Sequence, residues 1–503
     1  MQNNTLPKLT RFLPWIIYGF IFLIFLEPII NLRLFLDDHV LVWPALTQTY
    51  VQDFLSYTYN FGLYRPIRLV FIYYPLYTLY SVFPWAPYLL LFTIHFVTGI
   101  LVFLIFKKYI EDRLSLLLSV LYIVFPFFVE QYAWIATGIP IVNLILFAQL
   151  YISLVSKISI KKKLILIFAL QLIGAFTYDT LFFNFILLGS ILYINRREWG
   201  LGMKKISLYS FIFAFPSILY TILRGFIFYA HDSTTVRELR LTDLPNIIFI
   251  EINNLKIFFN AQKFLFLGEG SWTSFWQQNT IEGIRALLSN PAYLTLMNYF
   301  IISIFFYLFT KSKLSKLENR NLPLFTLLFI ALLSLLPSFL VTIPSFPFRV
   351  IALSLWALSA AILIYINKLS SKLSFILTLT MIFLSLLFSR KILAGMRLQF
   401  DDDERMTDQI VKSVDEYTNK QDKVVVVLKD IPFSTNTKFN YGEYLASCVH
   451  TDWCVQMELA RKTNKIKRVI INSTLLDHSN DLTFIFRYKS DQKSLILETP
   501  NIQ

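Results

Sequence analysis

Two adjacent carboxylates, Asp37 and Asp38, follow the first long apolar run of this 503-residue chain. A carboxylate at a membrane exit can take the proton from an attacking hydroxyl as a general base. An acidic pair can also hold a divalent cation such as Mg or Mn. Neither Asp has a Lys or Arg beside it, although Arg33 lies one helical turn back, and either alone reads equally well as a solvated loop acid. Their meaning depends on what reaches the same side. The residue types that could join them are Tyr64 and Arg65 in Tyr-Arg-Pro, His95 inside an apolar run, Glu130 with Trp134, Asp179 interrupting another apolar run, and the arginines Arg224 and Arg349. Guanidinium groups bind phosphate oxygens bidentately, so acids and arginines on one membrane face suit a phosphate-bearing lipid. Arg68 reads rather as a snorkelling interfacial anchor, and His95 as a hydrogen-bonded core residue.

The elements that must position these groups follow from composition. With 56% hydrophobic and 16% charged residues and a mean hydropathy of +0.58, the chain falls outside the range of soluble globules, in which about a quarter of residues are charged. Eleven apolar windows of span length lie near 12–30, 88–106, 114–129, 138–156, 163–179, 180–195, 206–224, 292–310, 322–342, 347–367 and 373–390. They lack strand-like alternation, which excludes an outer-membrane barrel. The first lacks a small-residue cleavage site and reads as a retained anchor. The expectation is an all-α polytopic membrane protein with about eleven transmembrane helices and additional interfacial helices.

The net charge of +14 does not point to nucleic acid here, because the basic residues sit in short loops between apolar runs. They are topology signals. The run 66–84 carries Arg68 and Pro75 and is bracketed by prolines; counting it as a span would reverse every later loop. Reading it as interfacial puts Lys8, Lys107, Lys108, the lysines 161–163, Lys204, Lys205, Lys311 and Lys368 in the cytoplasm. The extracytoplasmic side then collects a first outer loop, 31–87, the link 130–134, the corner at Asp179 and a second large outer loop, 225–291. Within that loop, 246–267 reads as a surface amphipathic helix.

Residues 1–390 thus form the transmembrane domain. From 391 to 503 the composition turns polar, with helix patterns at 401–418 and 441–461 and strand patterns at 423–428, 467–471 and 482–488. That predicts a small extracytoplasmic α/β domain. The two cysteines, Cys448 and Cys454, both lie in it; their Cys-x5-Cys spacing is outside the usual zinc pattern, which favours a disulfide over a metal set with His450 and His478. No P-loop, dinucleotide fingerprint or His-Glu-x-x-His motif is present.

The order of motifs over the first half of the chain resembles the GT-C glycosyltransferases. It runs from the acidic pair through Tyr64-Arg65-Pro66, His95, Pro126 with Glu130 and Trp134, and Tyr178-Asp179-Thr180 to Arg224. The similarity is greatest to the branches of transmembrane O-mannosyltransferases, protein O-mannosyltransferases and aminoarabinose transferases. The resemblance implies a GT-C-like catalytic domain and a hexosyltransferase drawing on a polyprenyl-phosphate-linked sugar in the cell membrane, with a glycan, lipid or protein acceptor. By position it implies Asp37 and Asp38 as the catalytic acids and Arg65 as a donor-phosphate ligand. With the residue chemistry above, Arg224 and Arg349 join Arg65, while Glu130, Asp179, Tyr64, His95 and Trp134 position acceptor and sugar. Tyr178-Asp179 departs from the Lys-Glu pair usual in related chains. The competing readings are a non-enzymatic lipid-linked sugar translocase, for which no internal symmetry is visible, and a polysaccharide polymerase or ligase.

Overall fold

The computed structural model describes residues 6–34, 72–177, 181, 183–196, 199–230, 321–339, 348–419, 424–432, 447–471, 482–492 and 494–501. Asp37, Asp38, Tyr64, Arg65 and Asp179 lie outside them. So do the windows at 292–310 and the second outer loop apart from its first residues.

Apolar composition yields helices α1 (Leu6–Ile30), which holds Pro14 and Pro28, α2 (Tyr74–Val82) and α3 (Ala86–Phe106), each with a proline in its first turn, and α4 (Asp112–Val124). The chain then bends and continues as α5 (Val129–Ala133), α6 (Ile139–Leu154), α7 (Ile160–Ala175), α8 (Asn184–Ile194) and α9 (Met203–Ala230). After α10 (Asn321–Phe339) and α11 (Phe348–Leu369) comes α12 (Ser371–Tyr417). Among the described residues, five helices are long and apolar enough to cross a membrane, six if the bent pair 112–124 and 126–133 counts as one span. On these and the shorter apolar helices Phe12, Leu23, Ile165, Leu332 and Ile376 are largely exposed, as side chains facing lipid would be. The chain is membrane-embedded.

The run 66–84 contributes, in its described part, the nine-residue α2. At 1.5 Å per residue this helix is about 14 Å long, too short to span. The window 114–129 is a broken element rather than one straight helix: Pro126 cannot donate a backbone hydrogen bond, and the axis turns by 43° there.

In lipid, helices are joined by close packing and polar contacts rather than by hydrophobic burial. Helix α1 runs antiparallel to α3, with ring pairs Phe25–Phe92 at 5.6 Å, Phe22–Phe96 at 5.2 Å and Tyr18–Phe103 at 6.2 Å. The Tyr18 hydroxyl meets Ser119 Oγ at 2.7 Å, and that serine donates to the Gly99 carbonyl at 2.6 Å, which ties α1, α4 and α3 together. Three amides lock α6, α7 and α8: Gln149 donates to Gln171 at 3.1 Å, Asn184 donates to Gln149, and Gln171 donates to the Leu181 carbonyl at 3.2 Å. Such bonds contribute about 1 kcal/mol each.

These contacts also order the two ends of the bundle. Lys108 and Lys163 donate to the Leu154 and Ser153 carbonyls, so the lysine-bearing turns gather at the end where α3 finishes. The opposite end, where α1 finishes, is bound to α12: Arg390 donates to the Ile24 carbonyl at 2.8 Å and Arg397 pairs with Glu27 at 3.2 Å.

Helix α12 corrects one expectation. The patterns at 373–390 and 401–418 are a single helix of 47 residues, not two. Apart from Gly395 the stretch between them is rich in helix formers, and no proline interrupts it. About 20 residues traverse the bilayer core, taking the span to near residue 390. Beyond it, Met406, Ile410 and Val414, four apart, face a second core.

That core belongs to a four-stranded sheet, β1 (Val424–Lys429), β2 (Ile466–Ile471), β3 (Leu482–Lys489) and β4 (Ser494–Asn501), in the order β2-β1-β3-β4. Strand β1 is parallel to both β2 and β3, and β4 returns antiparallel along β3. β1 is central and wholly apolar inside, as its Val-rich run predicts. β4 was not legible, since its run is short, follows a polar turn and contains Pro500, which an edge strand tolerates. Of the pattern at 441–461, the described part is a short 3-10 turn at Cys448–His450 and α13 (Asp452–Lys462).

One tight approach tests this packing. A Cβ at Gly99 would stand 2.4 Å from Ile123 Cγ1. Gly99→Ala is expected to cost about 1–3 kcal/mol by overpacking, read as a lower melting temperature in detergent. Adding Ile123→Ala should recover part of the loss. An unchanged melting temperature for Gly99→Ala would contradict the α3–α4 contact.

Candidate functional site

Where α1 leaves the bundle, Arg33 and Leu34 line a cavity of 320 Å³. Tyr80 of α2 and Pro84 form its membrane-side wall; Phe400, Asp403 and Glu404 of α12, Cys448 of the 3-10 turn, and Glu458 and Arg461 of α13 form the other. The cavity therefore lies between the helical bundle and the α/β domain. Leu34 stands three positions before Asp37 in the chain.

The domain-side wall is held by two side-chain systems. Asp403 is buried and accepts from Ser447 Oγ at 2.5 Å, the Cys448 amide at 2.9 Å and Gln399 Nε2 at 3.0 Å. It caps the turn carrying the Cys448–Cys454 disulfide, whose Cα atoms are 5.3 Å apart. Burial pushes the Asp403 carboxyl up to about 7; the bonds from Ser447, Cys448 and Gln399 oppose this and neighbouring Asp402 adds to it. In the second system Glu458 takes Arg461 Nη2 at 2.6 Å and Nε at 3.2 Å, and also lies 3.7 Å from Lys462. Lys462 in turn pairs with Asp408 of α12 at 2.6 Å, fastening α13 to the long helix.

Three residues expected at the site, His95, Glu130 and Trp134, are buried in the bundle and do not line this cavity. His95 is fully buried, its ring 4.8 Å from Tyr122, 5.0 Å from Phe128 and 5.4 Å from Tyr132. Its Nε2 donates to the Ile123 carbonyl at 3.2 Å, the arrangement of a core residue. The link 130–134, expected at an outer surface, is buried: Glu130 is 2% and Trp134 4% exposed. The 43° bend at Pro126 brings the rings of Phe128 and Tyr132, both tilted, against His95, and Glu130 is buried with them. Gln131 there accepts from Asn143 at 2.9 Å. Neither Glu130, Trp134 nor His95 lines the junction cavity. Arg224 and Arg349 lie in helices α9 and α11.

Among the described residues no group of three or more His, Cys, Asp or Glu side chains could hold a metal ion. The paired Asp37 and Asp38, offered for a divalent cation, lie outside those residues.

The cavity residues of α12 and α13 were missed in the sequence. The Asp401–Arg405 stretch reads as a solvated helix face, and only the length and register of α12 bring Asp403 and Glu404 back towards Arg33. No family model, no curated protein and no solved structure matches the chain.

The raised Asp403 carboxyl has a consequence for stability. A folded pKa above the ordinary 3.8 means the native state holds this proton more tightly than the unfolded state. Its contribution is complete below about pH 4 and is lost as the pH climbs through 7. Asp403→Asn keeps an acceptor for Ser447 and the Cys448 amide but cannot titrate. Unfolding of the full chain in detergent between pH 4 and 8 should show a smaller fall in stability for Asp403→Asn than for the native protein. Parallel curves would contradict the assignment.

Proposed function

We propose that the chain is a membrane glycosyltransferase that moves a hexose from a polyprenyl-phosphate donor to an acceptor hydroxyl by one inverting displacement on the extracytoplasmic face. The observation that carries this reading is the cavity at the end of α1, opening between bundle and domain just ahead of the acidic pair in the chain.

The orientation is supported by two independent features. Lysine-bearing turns gather at the end of the bundle remote from the α/β domain, as the positive-inside rule requires if that domain is extracytoplasmic. The domain also carries a disulfide, which persists in oxidising compartments. About eleven spans, with the amino terminus in the cytoplasm, complete this topology.

Asp37 is the general base. It accepts the proton of the acceptor hydroxyl as that oxygen bonds to the anomeric carbon, while the bond from that carbon to the phosphate oxygen breaks with its electron pair. The lipid phosphate leaves as an anion, neutralised by Arg65, Arg224 and Arg349. Asp38 orients the acceptor or holds a divalent cation such as Mg or Mn. Asp179 and Tyr64 remain candidates for sugar and acceptor contacts. Glu130, His95 and Trp134 act through the packed core that supports the outer end of the bundle.

A base contacts the acceptor proton and not the lipid phosphate, whereas an arginine ligand holds the donor. Asp37→Asn is therefore expected to abolish transfer with donor still bound, and Asp38→Asn to reduce it less. Arg224→Ala or Arg349→Ala should raise the apparent donor Kd and lower turnover together. Near-normal turnover in both aspartate variants would sink this assignment.

A further inference from the structure

At the lysine-bearing end of the bundle, α8, α9 and α10 form a groove of about 770 Å³ that the proposed chemistry does not use. Its place follows from the turn joining α8 to α9: Lys163 lies 5.1 Å over the Trp199 ring, and the same lysine donates to the Ser153 carbonyl. The floor consists of small residues, Gly189, Ser190 and Ser210; a Cβ at Gly189 would stand 2.8 Å from Ser210 Oγ. The walls are apolar, with Phe185, Ile186 and Ile194 on α8 and Leu322 and Phe325 on α10. Along α8 the lining runs from Phe185 to Ile194, about 14 Å of helix and close to half of the roughly 30 Å hydrocarbon core. That is the depth of one leaflet.

The rim at the lysine-bearing end is charged. Tyr193, in the last turn of α8, lines the groove and carries the Arg196 guanidinium 4.2 Å over its ring. Arg196 Nη1 also meets Met203 Sδ at 3.9 Å, which brings the start of α9 to the same rim. The next residues there, Lys204 and Lys205, are exposed and meet no carboxylate among the described residues. Two lysines in a first turn that holds no acid oppose the helix dipole, and an anion at that end offsets them.

We propose that this groove binds an anionic phospholipid, with one acyl chain lying along α8 between α9 and α10 and the phosphate held among Arg196, Lys204 and Lys205. Basic pockets between membrane helices on the cytoplasmic side hold anionic headgroups, and a guanidinium matches phosphate oxygens. The glycine and two serines leave the trough open for chain methylenes where larger side chains would fill it. This lipid is not the sugar donor: the groove and the junction cavity lie at opposite ends of the bundle, so the inference stands apart from the glycosyltransferase reading. An occupant touching three helices stabilises the folded bundle, because it binds that state and not the unfolded chain.

The test uses the full-length protein in detergent, titrated with dioleoyl phosphatidylglycerol or dioleoyl phosphatidylcholine, with bound lipid counted by native mass spectrometry and the melting temperature read alongside. Phosphatidylglycerol is expected to bind about tenfold more tightly than phosphatidylcholine and to raise the melting temperature more. Combining Arg196→Ala, Lys204→Ala and Lys205→Ala should bring the two lipids within about twofold of each other. Lys372→Ala, an exposed lysine at the start of α12 and outside the groove, should change nothing. Ser190→Trp fills the trough without removing a charge and should weaken phosphatidylglycerol by about tenfold. Millimolar glycerol 3-phosphate, a headgroup without chains, should not displace the lipid, which tests the need for the groove in the native protein itself. The inference is overturned if the native protein binds neither lipid or both alike, or if Lys372→Ala lowers binding as much as the triple variant. It is equally overturned if glycerol 3-phosphate displaces the lipid, or if Ser190→Trp, folded by its melting transition, binds as the native protein does.

Discussion

The continuity of α12 is the constraint on which the rest of the molecule depends. One helix crosses the bilayer, is clamped to α1 through Arg390 and Arg397, and then supplies Met406, Ile410 and Val414 to the core of the α/β domain. A helix about 70 Å long leaves little freedom at the point where bundle and domain meet. Had a glycine-proline hinge separated the two, the residues facing each other across the junction cavity would have no defined register. The ion pairs Lys462–Asp408 at 2.6 Å and Lys465–Asp415 at 2.7 Å hold the domain along the same helix. Such exposed pairs contribute little singly, so the apolar stripe does most of the holding.

The bundle itself uses a different physics. Inside lipid, burying leucine against leucine gains little, and specificity comes from close approach and hydrogen bonds. Gly99 against Ile123, the Tyr18–Ser119–Gly99 relay and the amide set of Gln149, Gln171 and Asn184 fix which helix touches which. The aromatic nest around His95 belongs with these. An ionisable residue at that depth invites a functional reading. Its Nε2 meets the Ile123 carbonyl and three rings surround it, next to the turn at Pro126.

Much of this was legible in the sequence because membrane helices announce themselves by composition. The apolar helices among the described residues, five or six of them of span length, the polar turn of composition after residue 390 and three of the four strands follow from periodicity and residue type. The cysteines six positions apart likewise pointed to the bond between them. What was not legible depended on register over long distances. Nothing local shows that 373–390 and 401–418 are one rod, nor that Asp403 would be buried while Glu404, one residue on, faces a cavity with Arg33. The burial of Glu130 was hidden for a related reason: a polar residue between apolar runs reads as a surface loop, and here it follows a bend of 43° and is enclosed in the bundle.

The proposed chemistry consumes its lipid donor, and that separates it from a translocase, which would move the same lipid intact. Purified protein in detergent, given a labelled polyprenyl-phosphate hexose and a hydroxyl acceptor, is the direct measurement. The account predicts release of free polyprenyl phosphate in step with glycosylated acceptor. Donor recovered unchanged, while the same protein in vesicles carries it from one leaflet to the other, would contradict the account.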